Sequence, residues 1–559
     1  MTSLRSVLVF LRNPTKDVYE KPGWNSEHLG IGYLAAALRQ AGMPCELVDG
    51  AAEDLSSEEV LDRLLHLDPD FVGFSTTHST IKDALDISMQ LKDSSPGIHV
   101  CFGGHHATLS ALQILQNEDC VDSVVRGDGE LTIVELLQAL EATALPEGVR
   151  GVYYRNSRGI IVANNDRSAL PNLDALPFPA RDVLRKSAEK RAPRIASICS
   201  SRGCPWSCGF CSTPAYRAAQ GEAPWRARTP SDVVDELELL VEEHGYSYFL
   251  FVDDNIVLPN RQSKERLSQI ASQILQRGLR IEWTAMCSAA ALGEDDREMF
   301  GLLKEAGLAS IFIGVEAGYG PTLDLYRKYD QSASAEQSLA AVELLSGLGI
   351  WAVCGMILFH PYATPKELME NGRFIKDLAD NPSVRMIAPL CRRLEAYPGT
   401  ALFDKIRRDG LLLTDKPYLD AYAYKFVSSD VQLVADIMCS LLPMVVDTDW
   451  LIWDARELLR KADVEETQLG RKRLSLEDCP MRTQATVEDI NCLNLAFLEV
   501  ALDLAKVGDR ATLDKEAATY LNRLKAQEVL LRENYEAALA LISWPDSRQA
   551  SQGLEVYHD

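Results

Sequence analysis

The stretch Ser201-Arg-Gly-Cys204-Pro-Trp-Ser-Cys208-Gly-Phe-Cys211 places three cysteines close together on one short segment. They follow an apolar, β-branched run, Ile195–Ser200, which predicts a strand. Cysteine thiolates hold iron–sulfur clusters, and a four-iron cube normally takes four of them. This C-x3-C-x2-C spacing therefore predicts a four-iron cluster with one open iron, which could bind a substrate or a cofactor.

Two other interpretations of these cysteines are a structural zinc knuckle and three unrelated core thiols. Structural zinc needs four ligands, commonly as two separated pairs, and the chain contains no second Cys-x2-Cys pair. Unrelated buried cysteines seldom gather this closely beside glycines such as Gly203 and Gly209. The spacing therefore favours the open-site cluster.

Strand and helix patterns alternate from Ile195 onward. Amphipathic stretches such as Ser231–His244 and Pro365–Ala379 fit helices between successive strands. The predicted strands are Ile195–Ser200, Tyr248–Asp253, Arg280–Met286, Ser310–Gly314, Trp351–Phe359 and Val384–Leu390. Six such units over roughly 200 residues predict a (β/α)6 partial TIM barrel, with its chemistry at the C-terminal mouth.

The cysteine triplet, with an aromatic residue before its last member and at the first strand of such a barrel, resembles the radical S-adenosylmethionine (SAM) superfamily. The resemblance covers residues 191 to about 410. It implies a [4Fe-4S] cluster held by Cys204, Cys208 and Cys211, whose open iron chelates SAM. It also implies that one electron cleaves SAM to methionine and a 5′-deoxyadenosyl radical.

The family pattern further implies five SAM contacts, which fall on Phe210, Asp253, Asp254, Gly314 and Glu316. Simpler roles stay open for the acidic residues. Asp253 or Asp254 could cap the next helix, and Glu316 could pair with a surface arginine.

Five strand–helix units precede this region and predict a doubly wound parallel sheet. The predicted strands are Ser6–Leu11, Cys45–Val48, Phe71–Ser75, His99–Phe102 and Ser123–Val125. A G-x-G-x-x-G dinucleotide motif is missing after the first of them. Small and polar residues follow the third, fourth and fifth strands instead, which suits a bulky ligand whose tail runs beside the sheet.

Three segments, Leu29–Leu38, Gly103–Thr108 and Gly127–Glu130, together resemble the cobalamin-binding domain that precedes many radical SAM barrels. The resemblance covers residues 5 to 141. The resemblance implies a set of cobalamin contacts: Ser75, Thr76, Thr77, Gly103, Gly104, His105, Gly127, Gly129 and Glu130.

The chain departs from the cobalamin pattern after the first strand. Many cobalamin folds carry D-x-H-x-x-G there, and its histidine ligates cobalt. Here Asn13, Pro14 and Thr15 occupy that place, so the resemblance implies base-off cobalamin without this ligand. Three other histidines are open candidates for neighbours of the corrin or for ordinary hydrogen-bonded loop residues: His78, His105 and His106.

The chain thus divides into four predicted parts. Residues 1–145 form the cobalamin-binding Rossmann-like domain, 146–190 a linker with a small hairpin, 191–415 the radical SAM barrel, and 416–559 a helical domain. The last part carries three long helical patterns: Asp449–Ala462, Thr486–Val507 and Leu513–Ile542.

Composition narrows the class of protein. The 559 residues are 47% hydrophobic and carry a formal net charge of -24, which disfavours nucleic acid as a partner. The longest apolar run, Ile350–Phe359, is too short to cross a bilayer, and the first residues read as a strand rather than a secretion signal. Thirteen cysteines without that signal indicate a reducing cytoplasm.

A cobalamin domain before a radical SAM barrel implies methylation of an unreactive carbon, with methylcobalamin as the methyl donor. A non-methylating rearrangement, cyclisation or oxidation is the main alternative. A non-catalytic iron–sulfur sensor would need neither cobalamin pocket nor barrel. A methylthiotransferase would need a second cluster, yet the first domain has only Cys45, Cys101 and Cys120.

The expected partners are a small-molecule or peptide substrate and an electron donor such as flavodoxin or ferredoxin, with no nucleic acid and no membrane. The substrate itself is beyond the sequence.

Overall fold

The computed structural model describes residues 4–13, 27–143, 145–187, 195–221, 225–331, 333–469 and 478–541. Two sheets and a helical region account for these residues, which confirms the predicted fold class. The bounds of the four predicted parts stay predictions.

The first sheet has seven strands in the order β2-β1-β3-β4-β5-β6-β7. Its strands are β1 (Ser6–Phe10), β2 (Cys45–Asp49), β3 (Phe71–Ser75), β4 (His99–Gly103), β5 (Ser123–Val125), β6 (Val152–Arg155) and β7 (Ile161–Ala163). β1 to β5 are parallel, whereas β6 and β7 add to the edge antiparallel. The hairpin expected inside the linker is therefore part of this sheet.

Helices cover both faces of the first sheet: α1 (Leu29–Gln40), α2 (Ser57–Leu67), α3 (Ile81–Ser94), α4 (Gly104–Asn117) and α5 (Glu130–Thr143). β1 shows why. Val7 and Val9 point into a core with α2, α3 and α4, while Leu8 points into a second core with α1 and α5. A strand buried on both faces must be largely apolar, and four of the five residues of β1 are apolar. Crossing from β1 to β3 creates the switch point where such folds bind ligands.

A second sheet of six parallel strands follows, in the order β15-β14-β13-β12-β11-β8. Including the two-stranded ribbon of β9 and β10, the strands are β8 (Ile195–Ile198), β9 (Ser201–Arg202), β10 (Arg226–Ala227), β11 (Tyr248–Phe251), β12 (Glu282–Cys287), β13 (Leu308–Glu316), β14 (Trp351–Met356) and β15 (Val384–Arg385). The strands of the sheet lie side by side in chain order, as in a partial barrel. β8 ends before Ser200, and β15 is shorter than the predicted Val384–Leu390.

The barrel helices and those beside it follow in order. They are α6 (Asp182–Ser187), α7 (Thr213–Ala218), α8 (Pro230–Glu242), α9 (Arg261–Gln276), α10 (Arg297–Glu305), α11 (Gly320–Leu325), α12 (Ala335–Gly347), α13 (Pro365–Ala379) and α14 (Ala401–Arg408). The longer ones separate successive barrel strands, whereas α7 follows the cysteine loop directly.

Four helices complete the described chain: α15 (Ser429–Ser440), α16 (Leu442–Leu469), α17 (Asp478–Lys506) and α18 (Arg510–Leu541). α17 packs on barrel helix α13, which joins this region to the barrel core. Among the described helices, none is by itself long and apolar enough to cross a membrane. The pair formed by α15 and Leu442–Arg460, bent by 59°, reaches that length and composition only together.

Candidate functional site

The cysteine loop begins after β8 and is held by hydrogen bonds to its backbone. Gly203 has φ +87°, a conformation that favours glycine, and its N–H donates to Asp254 Oδ2 at 3.0 Å. Arg217 Nη1 donates to the Cys204 carbonyl at 2.8 Å. Cys211 N donates to the Cys208 carbonyl at 3.2 Å. The loop is therefore a compact turn that begins at the barrel mouth.

The three thiols fit a cubane cluster better than a single ion. All three are free and half-buried. No three His, Cys, Asp or Glu side chains among the described residues converge on one ion position, whereas in a four-iron cluster each thiolate binds a different iron. Burial raises the pKa of Cys204 to about 12 and raises those of Cys208 and Cys211. The positive charge of bound iron would therefore be needed to favour the thiolate form of these cysteines.

A segment that sequence reasoning missed, Tyr326–Asp330, wraps the cysteine loop. Tyr329 N donates to Cys208 Sγ at 3.5 Å, and Ser207 N donates to Asp330 Oδ1 at 3.0 Å. Gly209 N donates to the Tyr326 carbonyl at 2.7 Å. Arg327, Tyr329 and Asp330 all have positive φ, which is strained for residues with side chains. The fold therefore tolerates backbone strain in Tyr326–Asp330, the segment that shapes the cysteine loop.

Three of the predicted SAM contacts, Phe210, Gly314 and Glu316, lie together around a buried lysine. Lys328 Nζ is 2.7 Å from Glu316 Oε1 and 5.5 Å from the centre of the Phe210 ring. A Cβ on Gly314 would lie 2.4 Å from Glu316 Oε1, so this close approach requires glycine. Burial opposes the charge of Lys328, but the Glu316 carboxylate raises its pKa above the ordinary value. The partner of Glu316 is therefore not a surface arginine.

Asp253 has a structural role that the sequence did not indicate. Its carboxylate is fully buried and accepts hydrogen bonds from Ser200 N at 3.1 Å, Ser200 Oγ at 2.8 Å and the Ser201 hydroxyl. Just beyond the end of β11, burial alternates along the chain: Asp253 is buried, whereas Val252 and Asp254 are exposed and line the shared cavity. Asp253 therefore fixes the segment before the cysteines, and its contact with SAM stays a prediction. Neither aspartate caps α9, whose cap is Asn260.

One cavity of about 380 Å³ joins the first sheet to the barrel. Every predicted cobalamin contact lines it: Ser75, Thr76, Thr77, Gly103, Gly104, His105, Gly127, Gly129 and Glu130. Barrel residues complete the wall, including Ser201, Gly203, Val252 and Asp254. The mouths of the two sheets therefore open into one shared space, beside the cysteine loop.

The cavity also fits the tail of cobalamin. Its sheet side is lined by small and apolar residues of β1, β3, β4, β5, α1 and α5: Leu8, Leu34, Gly73, Cys101, Val125 and Ile133. Such a lining suits a flat heteroaromatic base. At the rim, Gly104 has φ +90°, and its absent Cβ would lie 3.0 Å from the Thr76 carbonyl. These residues would hold cobalamin.

Glu130 has a protein partner that the sequence did not reveal. Arg202 donates to Glu130 Oε1 at 2.7 Å, and Arg226 donates to Asp128 Oδ2 at 2.7 Å. Arg202 lies on β9, directly before the cysteine loop, and Arg226 lies on its partner strand β10, which follows α7. The acidic motif after β5 thus connects the cavity to the cluster loop by charge.

The structure places the candidate histidines in different surroundings. His105 lines the cavity and stacks on Tyr216 of α7, with ring centres 3.9 Å apart. His78 lies instead against Glu395 and Tyr397, and His106 is buried in α4. His28, which sequence reasoning did not consider, lines the cavity as well. Asn13 is described, while Pro14 and Thr15 lie outside the described residues.

Comparison with known families divides the chain in the same way. The B12 binding domain matches residues 16–137, and the Radical SAM superfamily matches residues 198–375. The first match lies on the seven-stranded sheet and the second on the barrel.

Named relatives point to more than one reaction. An uncharacterized methyltransferase of Pyrococcus horikoshii is 30% identical over 404 residues, which are 72% of this chain and 83% of the relative. An anaerobic magnesium-protoporphyrin IX monomethyl ester cyclase of Rubrivivax gelatinosus is 27% identical over 363 residues, 64% of this chain and 62% of the cyclase.

A solved structure shares the whole architecture. The cobalamin-dependent S-adenosylmethionine radical enzyme OxsB, with aqua-cobalamin and S-adenosylmethionine bound, aligns with a TM-score of 0.69 and 18% identity. The alignment covers 99% of this chain and 83% of OxsB. At this identity the likeness supports the fold alone.

Proposed function

Since this chain belongs to the cobalamin-dependent radical SAM enzymes, we propose that it transfers a methyl group to an unreactive carbon of a small molecule or short peptide. The observation that carries the proposal is the shared cavity, in which residues of the sheet mouth and Asp254 of the barrel face one space. The methyltransferase relative from Pyrococcus horikoshii supports the same reaction class.

The bound groups would supply the reactive species, a 5′-deoxyadenosyl radical from SAM for hydrogen abstraction and a methyl group from methylcobalamin. The protein's own residues would hold and orient the cluster, SAM and cobalamin. Cys204, Cys208 and Cys211 would anchor three irons, while Asp254 and the residues around Lys328 would contact SAM. The glycines at the sheet mouth would leave room for the corrin. Burial of the substrate between the two sheets would also keep water from a substrate radical.

A half-reaction tests methyl transfer without knowledge of the substrate. A methyltransferase must reload its cobalamin from SAM, whereas a cyclase need not. Anaerobic protein with cobalamin and reductant would be mixed with SAM that carries a trideuterated methyl group. We expect trideuteromethylcobalamin and S-adenosylhomocysteine by mass spectrometry, at rates above a heat-denatured control. Formation of 5′-deoxyadenosine without methylated cobalamin would contradict the proposal.

The second candidate is a non-methylating cyclisation, rearrangement or oxidation, and the cyclase relative favours it. The half-reaction discriminates between the two, because only methyl transfer consumes the SAM methyl group. With a substrate in hand, the product mass gives the same answer: a gained methyl group or lost hydrogen.

The proposed partners follow from charge and chemistry. A flavodoxin or ferredoxin would deliver the electron that the cluster passes to SAM. The net charge of -24 disfavours nucleic acid, and we propose no membrane partner.

A further inference from the structure

His28 lies directly before α1, and its ring lines the shared cavity. Three contacts fix it in place. The ring stacks on Phe10 with centres 3.9 Å apart and planes 20° apart. The His28 backbone N–H donates to Asp49 Oδ2 at 2.7 Å, and Nδ1 accepts a hydrogen bond from Ile31 N at 3.3 Å. The imidazole is therefore oriented before any ligand arrives.

The hydrogen bond at Nδ1 assigns the position of the ring proton. Burial lowers the pKa of His28 to about 4, so the ring is neutral at neutral pH. A neutral imidazole has one acceptor nitrogen and one donor nitrogen. Because Nδ1 accepts from Ile31, Nε2 carries the proton. Among the described residues, none accepts a hydrogen bond from Nε2.

We propose that His28 donates its Nε2–H to an oxygen of bound cobalamin and does not ligate cobalt. The acceptor is either an amide carbonyl of the corrin or the phosphodiester of the nucleotide tail. Cobalt ligation through Nε2 would need a lone pair there, and the proton would have to move to Nδ1. That nitrogen would then oppose the Ile31 N–H and leave α1 without its cap. Metal-ligating histidines show the reverse pattern, in which the other nitrogen donates.

Two variants separate the donor from the helix cap. Asparagine is a good N-cap residue and would keep the bond to Ile31, but it is too short to place an N–H where Nε2 lies. Glutamine caps poorly, yet its amide reaches further and restores a donor. His28→Asn therefore removes the donor and keeps the cap, while His28→Gln does the opposite.

The experiment measures equilibrium binding of aquacobalamin to the full-length, cluster-loaded protein by optical titration. We expect His28→Asn to weaken binding about five- to tenfold, the effect of one lost hydrogen bond, with an unchanged thermal midpoint before cobalamin is added. His28→Gln should bind within about twofold of the parent protein. Cobinamide, which lacks the nucleotide tail, identifies the acceptor. A loss with both corrinoids indicates an amide, and a loss with cobalamin alone indicates the phosphodiester.

Two results would overturn the donor role. One is unchanged affinity of His28→Asn for both corrinoids, and the other is an equal loss in His28→Asn and His28→Gln. Paramagnetic resonance of the cob(II) state tests the remaining claim. Nitrogen superhyperfine splitting in the parent that disappears in His28→Asn would show that the imidazole ligates cobalt.

Discussion

Replacing any one of Cys204, Cys208 and Cys211 with alanine should abolish the iron–sulfur cluster, because each thiolate anchors one iron and no fourth cysteine lies on the loop. Iron and sulfide content after anaerobic reconstitution measures the loss, and SAM cleavage should disappear with it. Cys492 on α17 is exposed, so Cys492→Ala is the matched control and should bind the parent amount of iron. A Cys208→Ala protein with a complete, active cluster would refute the assignment.

The neighbouring aspartates should separate stability from SAM binding. Asp253→Ala removes the acceptor of three buried hydrogen bonds and should lower the free energy of unfolding by about 2–4 kcal/mol. Asp254→Ala, at an exposed cavity position, should change stability by less than about 1 kcal/mol and weaken SAM binding roughly tenfold. Urea unfolding and equilibrium dialysis with SAM measure the two effects. The distinction fails if Asp253→Ala is as stable as the parent but no longer binds SAM.

Single residues were predictable where local spacing carries the chemistry. The cysteine spacing is such a case. Lys328 was not, because its role depends on a return of the chain from α11 to Cys208, which lies more than a hundred positions earlier in sequence. The choice between Asp253 and Asp254 also needed the structure. Both follow the end of β11, and the sequence does not say which of the two is buried.

The strands were predictable as elements, because parallel strands buried on both faces appear as short apolar runs. The nine residues predicted to contact cobalamin, most of them at the strand ends, line one cavity, and their contact with cobalamin stays a prediction. The predicted start of helix α16 was less accurate. The helical pattern predicts a start at Asp449, whereas the helix begins at Leu442 with Pro443 in its first turn, where the missing N–H of proline costs little.

The turn between β4 and α4 should control cobalamin binding. Gly103 is extended, and its added Cβ would have no atom closer than 3.8 Å, so the protein itself tolerates a side chain there. Gly103→Val would nevertheless fill cavity space and should weaken cobalamin binding roughly tenfold or more. Gly104 is the poorer test, because its positive φ strains any side chain.

Optical titration with aquacobalamin measures this effect, and iron content shows whether the cluster is intact. Gly97→Val, at an exposed position with no atom within 4 Å of its Cβ, is the matched control and should bind cobalamin normally. Parent-like affinity in Gly103→Val would exclude this turn from the cobalamin site.

At the scale of the whole molecule, the sequence predicted two sheets but not how they face each other. That arrangement depends on charges far apart in the chain. Arg181 lies between Glu27, before α1, and Glu236 on α8 at 2.6 Å. It also donates to the Ser197 carbonyl of β8 at 3.0 Å. Nothing local marks Arg181 as different from any other arginine, so the sequence could not reveal this contact.

Arg181→Met should loosen the docking of the first sheet on the barrel. The change leaves Glu27 buried without its cation, a situation that costs about 3–5 kcal/mol. The free energy of unfolding, from urea denaturation of the full chain at pH 8, measures this loss. Arg5→Met is the control, since Arg5 makes only exposed ion pairs with Asp68 and Asp70 and should change stability by less than about 1 kcal/mol.

The loss in Arg181→Met should depend on pH in a definite direction. Burial raises the pKa of Glu27 to about 7, even with Arg181 beside it. Without Arg181 the carboxyl stays protonated to a higher pH, so the folded state binds a proton that the unfolded state releases, and stability falls as pH rises. The variant should therefore be closer to the parent at pH 6 than at pH 8. Adding Glu27→Gln should remove most of the difference between the two pH values, because the amide cannot ionise. A loss of equal size at both pH values, unaffected by Glu27→Gln, would show that Arg181 acts through Glu236 and packing rather than through Glu27.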